Sequence, residues 1–215
     1  MPRDRVSAIP LGVGPDFHER ATGQIATAVR QWGLNPDGYG LSVAAFEPRK
    51  KIAELIAAWG QLPAGLRQSF PLVLAGVPGW RNGDLHQKMV AAEAEGWLKN
   101  LGFVDEGQLP ELYAGARLFI YPSIYEGFGL PPIEAMASGT PVIVANRSCL
   151  PEICGDAARY IDPDDVDSFV AALEEGLCDN LWRSRMRCLG LDRARLYSWD
   201  RCIEDTVAIY KMSIA

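Results

Sequence analysis

Two carboxylates separated by seven residues bracket a glycine-rich turn in the segment Tyr121-Pro-Ser-Ile-Tyr-Glu126-Gly-Phe-Gly-Leu-Pro-Pro-Ile-Glu134-Ala-Met-Ala-Ser-Gly-Thr-Pro141. Such a spacing suits a ligand that carries both hydroxyls and phosphates. Glu126 and Glu134 can accept hydrogen bonds from sugar hydroxyls, which an ionised carboxylate does for a hydroxyl and not for a phosphate. Gly127 and Gly129 let the main chain come close to a ligand and leave N–H groups unshielded by side chains. The positive end of a following helix would then hold a diphosphate. The apolar run Arg117–Tyr121 fits a buried strand, Pro131 and Pro132 suit the first turn of the helix, and Gly139 stops it. Glu126 is thereby expected on the turn and Glu134 in the helix's first turn, where the helix dipole alone would also favour an acid.

The elements that must position this turn alternate along the chain. After a Pro/Gly-rich stretch, Pro10–Pro15, and a short helix near Ala21–Trp32, strands are predicted at Leu41–Ala45, Pro71–Ala75, Trp97–Leu101, Leu118–Tyr121, Pro141–Ala145 and Arg159–Ile161. Helices are predicted between them at Lys51–Gln61, Asp84–Glu95, Gln108–Ala114, Pro131–Ser138 and Asp165–Leu177. The tail reads as helical from Asn180, with Trp199–Tyr210 as a separate final helix. Alternation with short loops predicts an α/β fold, a Rossmann-like doubly wound parallel sheet whose ligands bind beyond the C-terminal ends of the strands. The basic triplet Arg49-Lys50-Lys51 would by composition alone be the solvated start of a helix. Its position directly after the first strand favours phosphate binding.

The segment carrying Glu126 and Glu134 resembles the Glu-x7-Glu region of the retaining group 1 (family 4) glycosyltransferases, which have the GT-B fold. Further segments fall in that family's order: Ile9-Pro-Leu-Gly-Val13, Glu47-Pro-Arg-Lys50, Leu72-Val-Leu-Ala-Gly76 with Gly79-Trp80, Leu101-Gly-Phe-Val104 and Leu109–Ala116. So do Ser148-Cys-Leu-Pro-Glu152, Gly155-Asp-Ala-Ala158 and Asp162-Pro-Asp164, so the resemblance covers nearly the whole chain. It is nearest to bacterial mannosyltransferase-like members that assemble surface polysaccharides.

The resemblance implies one half of a GT-B fold, with residues 1–35 as linker and first helix, 36–198 as the nucleotide-sugar donor-binding domain, and 199–215 as a C-terminal helix. By the same likeness Glu126 contacts the donor hexose, Glu134 the ribose, and the amides of Gly127, Phe128, Gly129 and Leu130 the diphosphate and sugar. Lys50, with Arg49 beside it, neutralises the diphosphate, and Val104 offers backbone hydrogen bonds to the base. The implied reaction moves a hexose, mannose from GDP-mannose, onto a glycan or lipid-linked acceptor, with no cofactor and no metal. The chain's 215 residues suffice for one α/β domain and fall short of two. The Ile9–Val13 motif, which ends the interdomain linker in the family, lies close to Met1, so the N-terminal acceptor-binding domain is expected to be missing. The isolated chain is expected to bind donor without appreciable transfer. Two departures stand out: Ala44-Ala45 replaces the glycine usual at the end of the first strand, where a methyl would crowd a phosphate, and Lys51 replaces the usual asparagine.

Two alternatives remain open: a nucleotide-sugar binding or regulatory module without transferase activity, and a different Rossmann-like enzyme such as a GT-B sugar epimerase. A dinucleotide enzyme would want Gly-x-Gly-x-x-Gly after the first strand, and Ala44-Ala45-Phe46-Glu47 is unlike it.

Composition narrows the classes further. With 21 basic and 27 acidic residues the net charge is −6, which argues against a nucleic-acid partner and gives no general attraction to anionic lipid. No apolar run approaches a transmembrane segment, and Met1-Pro-Arg-Asp-Arg5 is no signal peptide. A cytoplasmic location follows as an expectation, with the resemblance adding the inner membrane face for the longer enzyme. Five cysteines without CxxC spacing read as reduced thiols. His18 and His86 lack partners at ligand spacing. Asp162-Pro-Asp-Asp-Val-Asp167 is better explained as a loop capping the helix from Asp165 than as a metal site. The six tryptophans, Trp80 among them, are scattered like packing residues rather than a stacking platform.

Overall fold

Short runs such as Leu72-Val-Leu-Ala75 and Leu118-Phe-Ile-Tyr121 cannot bury all their side chains on one side of a strand, because successive residues point to opposite faces. Both faces must therefore be covered, which is the situation of a parallel sheet clad in helices. A computed structural model, which describes residues 6–77, 79 and 83–214, has this architecture. Met1-Pro-Arg-Asp-Arg5 and Trp80 lie outside the described residues.

Six strands, β1 (Gly40–Val43), β2 (Leu72–Ala75), β3 (Leu98–Gly102), β4 (Leu118–Tyr121), β5 (Val142–Ala145) and β6 (Ala158–Ile161), form one sheet in the order β3-β2-β1-β4-β5-β6. Every pairing is parallel. Val73, Ala75, Phe119, Tyr121 and Val144 belong to one buried cluster, while Leu72, Leu74, Leu118, Ile120 and Ile143 belong to the other. The period-two alternation is what divides them.

Helices α1 (Thr22–Val29), α5 (Leu109–Gly115), α6 (Leu130–Ala137) and α9 (Asn180–Ala194) contribute to the first cluster. Helices α2 (Ile52–Gln61), α4 (Gly83–Ala94) and α8 (Val166–Cys178) contribute to the second. Trp59 of α2 is fully buried against the start of β1, where a side chain on Gly40 would meet its ring. Two short helices, α3 (Ala64–Ser69) and α7 (Leu150–Cys154), were not expected from the sequence, and α10 (Trp199–Ile214) closes the chain. Among the described residues no helix is long and apolar enough to cross a membrane.

Most expected boundaries lie within a residue or two of the observed ones, and β4 spans the expected Leu118–Tyr121. Two expectations need correction. The first helix ends at Val29, and Arg30–Trp32 tighten into a 3-10 turn stopped by Gly33 at φ +64°. Helix α6 starts at Leu130, directly after Gly129 in the left-handed region at φ +105°. Glu134 is therefore its fifth residue, at the start of the second turn, and not in the first turn.

The strand order reverses between β1 and β4, since β2 and β3 continue on one side and β5 and β6 on the other. Crevices open beyond the C-terminal ends of strands at such a switch point. The segments leaving β1 and β4 carry Lys50 and Glu126.

Candidate functional site

Arg49 and Lys50 occupy a 3-10 turn, Pro48–Lys50, directly after the β1 exit. The solvated-helix account fails for Lys50, which is only 7% exposed. Its ammonium donates to the Tyr121 hydroxyl at 2.6 Å and forms a short ion pair with Glu126 Oε1. The same oxygen accepts from the Tyr121 hydroxyl at 2.9 Å and Arg49 Nη1 at 3.1 Å, and from Ser123 Oγ. With four donors on Oε1, Oε2 accepts none among the described residues and remains open to a further donor.

Burial pushes the Glu126 carboxyl up, but hydrogen bonds from Lys50, Ser123 and Tyr121, with the Lys50 charge, outweigh it. The group sits below its ordinary range and stays ionised at neutral pH.

The turn after Glu126 is clamped from the β5 exit. Ser148 Oγ accepts from the Glu126 amide at 3.3 Å and donates to the Glu126 carbonyl at 3.0 Å, and the Cys149 thiol donates to the Phe128 carbonyl at 3.1 Å. Among the described residues the amides of Gly127, Phe128, Gly129 and Leu130 meet no protein acceptor. Pro131 and Pro132 follow them and have no N–H of their own. Unpaired amides at the start of a helix are the kind of donor that can hold an anion.

Glu134 accepts a hydrogen bond from Tyr113 at 2.9 Å. Burial raises its pKa, the Tyr113 hydroxyl opposes that rise, and the charge of Glu106 adds to it. Tyr113, Phe119 and Tyr121 pack ring against ring at 5.2 and 6.0 Å between the two acids. Both acids push up the pKa of the Tyr121 phenol, which burial raises most.

A raised carboxyl pKa means that Glu134 favours folding when protonated; that contribution is full below its unfolded pKa and is lost as pH rises through the folded one. Glu134→Gln is therefore expected to stabilise the empty protein at pH 7 by about 1 kcal/mol, or roughly 2–4 °C. The gain should vanish below pH 4, about where the unfolded-state acid protonates. Thermal melts of both proteins at the two pH values check this, and a variant less stable than wild type at pH 7 would contradict it.

Beside these groups lies a cleft of about 370 Å3 lined by Ala44, Ala45, Lys50, Gly76, Val104 and Tyr121, among others. Ala44 and Ala45 line it without closing it. Phe103, 71% exposed, and Glu106 also line it. The structure thus brings Arg49, Lys50 and Glu126 into direct contact and sets Val104 in the adjoining cleft. Glu134 joins through the aromatic ladder rather than by touching Glu126. Sequence reasoning gave no role to Tyr113, Tyr121, Ser123, Ser148, Cys149 or Glu106. Only Glu106, an acid two residues after Val104, carried a signal that could have been used.

The family model described as glycosyl transferases group 1 matches residues 26–189. The O-antigen chain mannosyltransferase B of Escherichia coli is 40% identical over 211 residues, covering 98% of this chain and 55% of that relative. Sucrose-phosphate synthase from Thermosynechococcus elongatus superposes with a TM-score of 0.78 at 26% identity, over 96% of this chain and 52% of that one. WaaG, a glycosyltransferase involved in lipopolysaccharide biosynthesis, superposes with a TM-score of 0.82 at 19% identity, over 97% of this chain and 57% of that one. The chain thus spans about half the length of these relatives.

Proposed function

The chain belongs to the group 1 glycosyltransferases, and from that premise we propose that it is the donor-binding half of a retaining hexosyltransferase that takes mannose from GDP-mannose. The acceptor is a glycan or lipid-linked sugar held by a separate N-terminal domain. The observation that supports this reading is the ionised Glu126, held by Lys50 and Arg49 at the β1/β4 switch point and followed along the chain by four amides without a protein acceptor.

Lys50 is paired with Glu126. An arriving diphosphate gives it a second anion, while Arg49, Tyr121 and Ser123 keep the Glu126 carboxylate charged and oriented. As the glycosidic bond breaks, charge grows on the leaving diphosphate, so Lys50, Arg49 and the amides of Gly127, Phe128, Gly129 and Leu130 stabilise the transition state more than the ground state. Glu126 Oε2 receives a hexose hydroxyl, and Glu134 receives the ribose hydroxyls. No side-chain nucleophile is required if the acceptor attacks from the face that the diphosphate leaves.

Mannose is supported by the 40% identical relative, which is named a mannosyltransferase. Guanine is supported by Glu106, which lines the same cleft as Val104. Guanine presents an N–H and an amino group side by side to a carboxylate, whereas uracil presents one N–H between two carbonyls. A carboxylate accepts only, so it favours the guanine edge.

Calorimetric titration with GDP, UDP, ADP and their mannose and glucose conjugates tests the reading. Selective binding of GDP and GDP-mannose, lost in Glu134→Ala, is expected; preference for UDP or ADP would refute the guanine assignment. Charged hydrogen bonds contribute about 1.5–3 kcal/mol, so Glu106→Ala should lower the GDP-to-UDP affinity ratio at least about ten-fold. An unchanged ratio would remove Glu106 from base recognition. Transfer by the isolated chain to a defined acceptor would refute the need for a second domain.

A further inference from the structure

Another cavity lies at the opposite edge of the sheet, where β1, β4 and β5 begin. Its volume is about 460 Å3, within the range of small-molecule sites. Four arginines line it: Arg20 before α1, Arg117 leading into β4, and Arg183 and Arg187 on successive turns of α9.

Pairing these cations leaves one uncompensated. Arg20 pairs with Glu111 at 3.2 Å, and Arg187 pairs with Glu19. Arg117 and Arg183 are left to share Asp37, Arg117 Nη1 donating to Oδ2 at 2.6 Å and Arg183 Nη2 to Oδ1 at 2.6 Å. Neither has another carboxylate in ion-pair range among the described residues. Their side chains are 10% and 17% exposed, so water compensates the surplus charge poorly. Burial, and next the charge of Arg183, lower the Arg117 pKa, as expected for two cations held against one anion.

A second observation is independent of that count. Five buried side-chain nitrogen or oxygen atoms among the described residues lack a hydrogen-bond partner, and two of them, Arg183 Nε and Ser138 Oγ, belong to residues lining this cavity. Ser138 is only 4% exposed. Buried polar atoms are ordinarily satisfied, so two orphaned donors beside a surplus guanidinium match an acceptor-rich anion.

We propose that this cavity is a second binding site, separate from the β1/β4 crevice, for a small phosphate-bearing molecule. Arg183 and Arg187 supply the charge, since a guanidinium matches phosphate oxygens in a planar fork. Ser138, Thr22 and Ser184 supply hydroxyl donors. Asp37 and Glu19 on the rim are acceptors for hydroxyls of a phosphate ester. Gly139 keeps the wall open, since a side chain there would meet Glu19 and Arg187.

The test is titration of the chain with inorganic phosphate and with glucose 6-phosphate, each with and without saturating GDP. Saturable binding with Kd of about 1 mM or tighter, undiminished by GDP, is expected. Binding should weaken at least ten-fold in Arg183→Gln, which removes the surplus charge and leaves the Arg117–Asp37 pair balanced. Arg187→Ala, at a side chain 57% exposed, should also weaken it and serves as the variant if Arg183→Gln does not fold. Binding of both probes would indicate a free phosphate pocket, and binding of the ester alone a sugar-phosphate pocket. Failure of the folded wild type to bind either probe would overturn the proposal. So would displacement by GDP, or unchanged affinity in the variants, and the variant comparison stands whether or not GDP binds.

Discussion

Lys50→Ala is expected to weaken GDP binding by this chain about 10- to 100-fold, the worth of one or two charge-assisted hydrogen bonds to a diphosphate. In a longer chain that also carries the acceptor domain, the loss in transfer rate should be larger, about 10²–10³, because the interaction strengthens as the leaving group gains charge. A rival explanation is that Lys50 only positions Glu126, with which it pairs. The two are separable by a double-mutant cycle with Glu126→Gln. If Lys50 acts through Glu126, either substitution costs nearly as much as both; if it meets the diphosphate, the Lys50 loss persists in the Glu126→Gln background. Calorimetry on four proteins decides it. The pH dependence is a further check: Glu126 is held below its ordinary pKa, so the stability it contributes is present above its unfolded pKa and is lost only as pH falls through the folded one. The ratio of wild-type to Glu126→Gln affinity for GDP should therefore be nearly flat from about pH 8 to pH 6, since the Glu126 carboxylate stays charged throughout.

The layer structure was legible in the sequence because short strand-like runs such as Leu72–Ala75 and Leu118–Tyr121 are bounded by turn residues and alternate with helical patterns. Strand order was not: nothing local in Leu118–Tyr121 says that it pairs with β1 rather than β3, and the β1/β4 switch emerges only from packing. The site was half legible for a related reason. Glycines, prolines and acids in the Glu126–Glu134 segment announce themselves by type. Tyr113 and Tyr121 look like core aromatics and are core aromatics, yet their hydroxyls hold the two acids. Lys50 was ambiguous because burial of a basic residue depends on a partner 76 positions away. The start of α6 was misplaced by one residue because prolines marked its first turn while a left-handed Gly129, and no Ser, Thr, Asp or Asn, caps it. The Asp37–Arg117–Arg183 cluster left no trace, since its members come from three distant elements.

Gly76 follows β2 at φ +151°, and a side chain there would place its Cβ 1.8 Å from the Ala44 carbonyl oxygen. Its amide donates to the Gly102 carbonyl at 2.7 Å, so β3 holds it from the other side. The collision in Gly76→Ala is between a methyl group and main chain, and no rotamer change can absorb it. The segments leaving β1 and β2 would have to separate, at the edge where Ala44, Ala45 and Gly76 line the cleft. Backbone strain at such a φ costs about 1–3 kcal/mol by itself, and the displaced strand ends add to it. A total loss of about 3 kcal/mol or more is expected, a large part of the roughly 5–15 kcal/mol that holds a domain together. Gly127→Ala is the control: its new methyl would meet nothing within 4 Å, so its stability should change by no more than about 0.5 kcal/mol. Urea unfolding of the three proteins reads the difference. A Gly76→Ala midpoint equal to wild type would mean that the β1 and β2 exits can part freely, and a cleft with such soft walls could not hold Lys50 and Val104 in fixed register for one nucleotide.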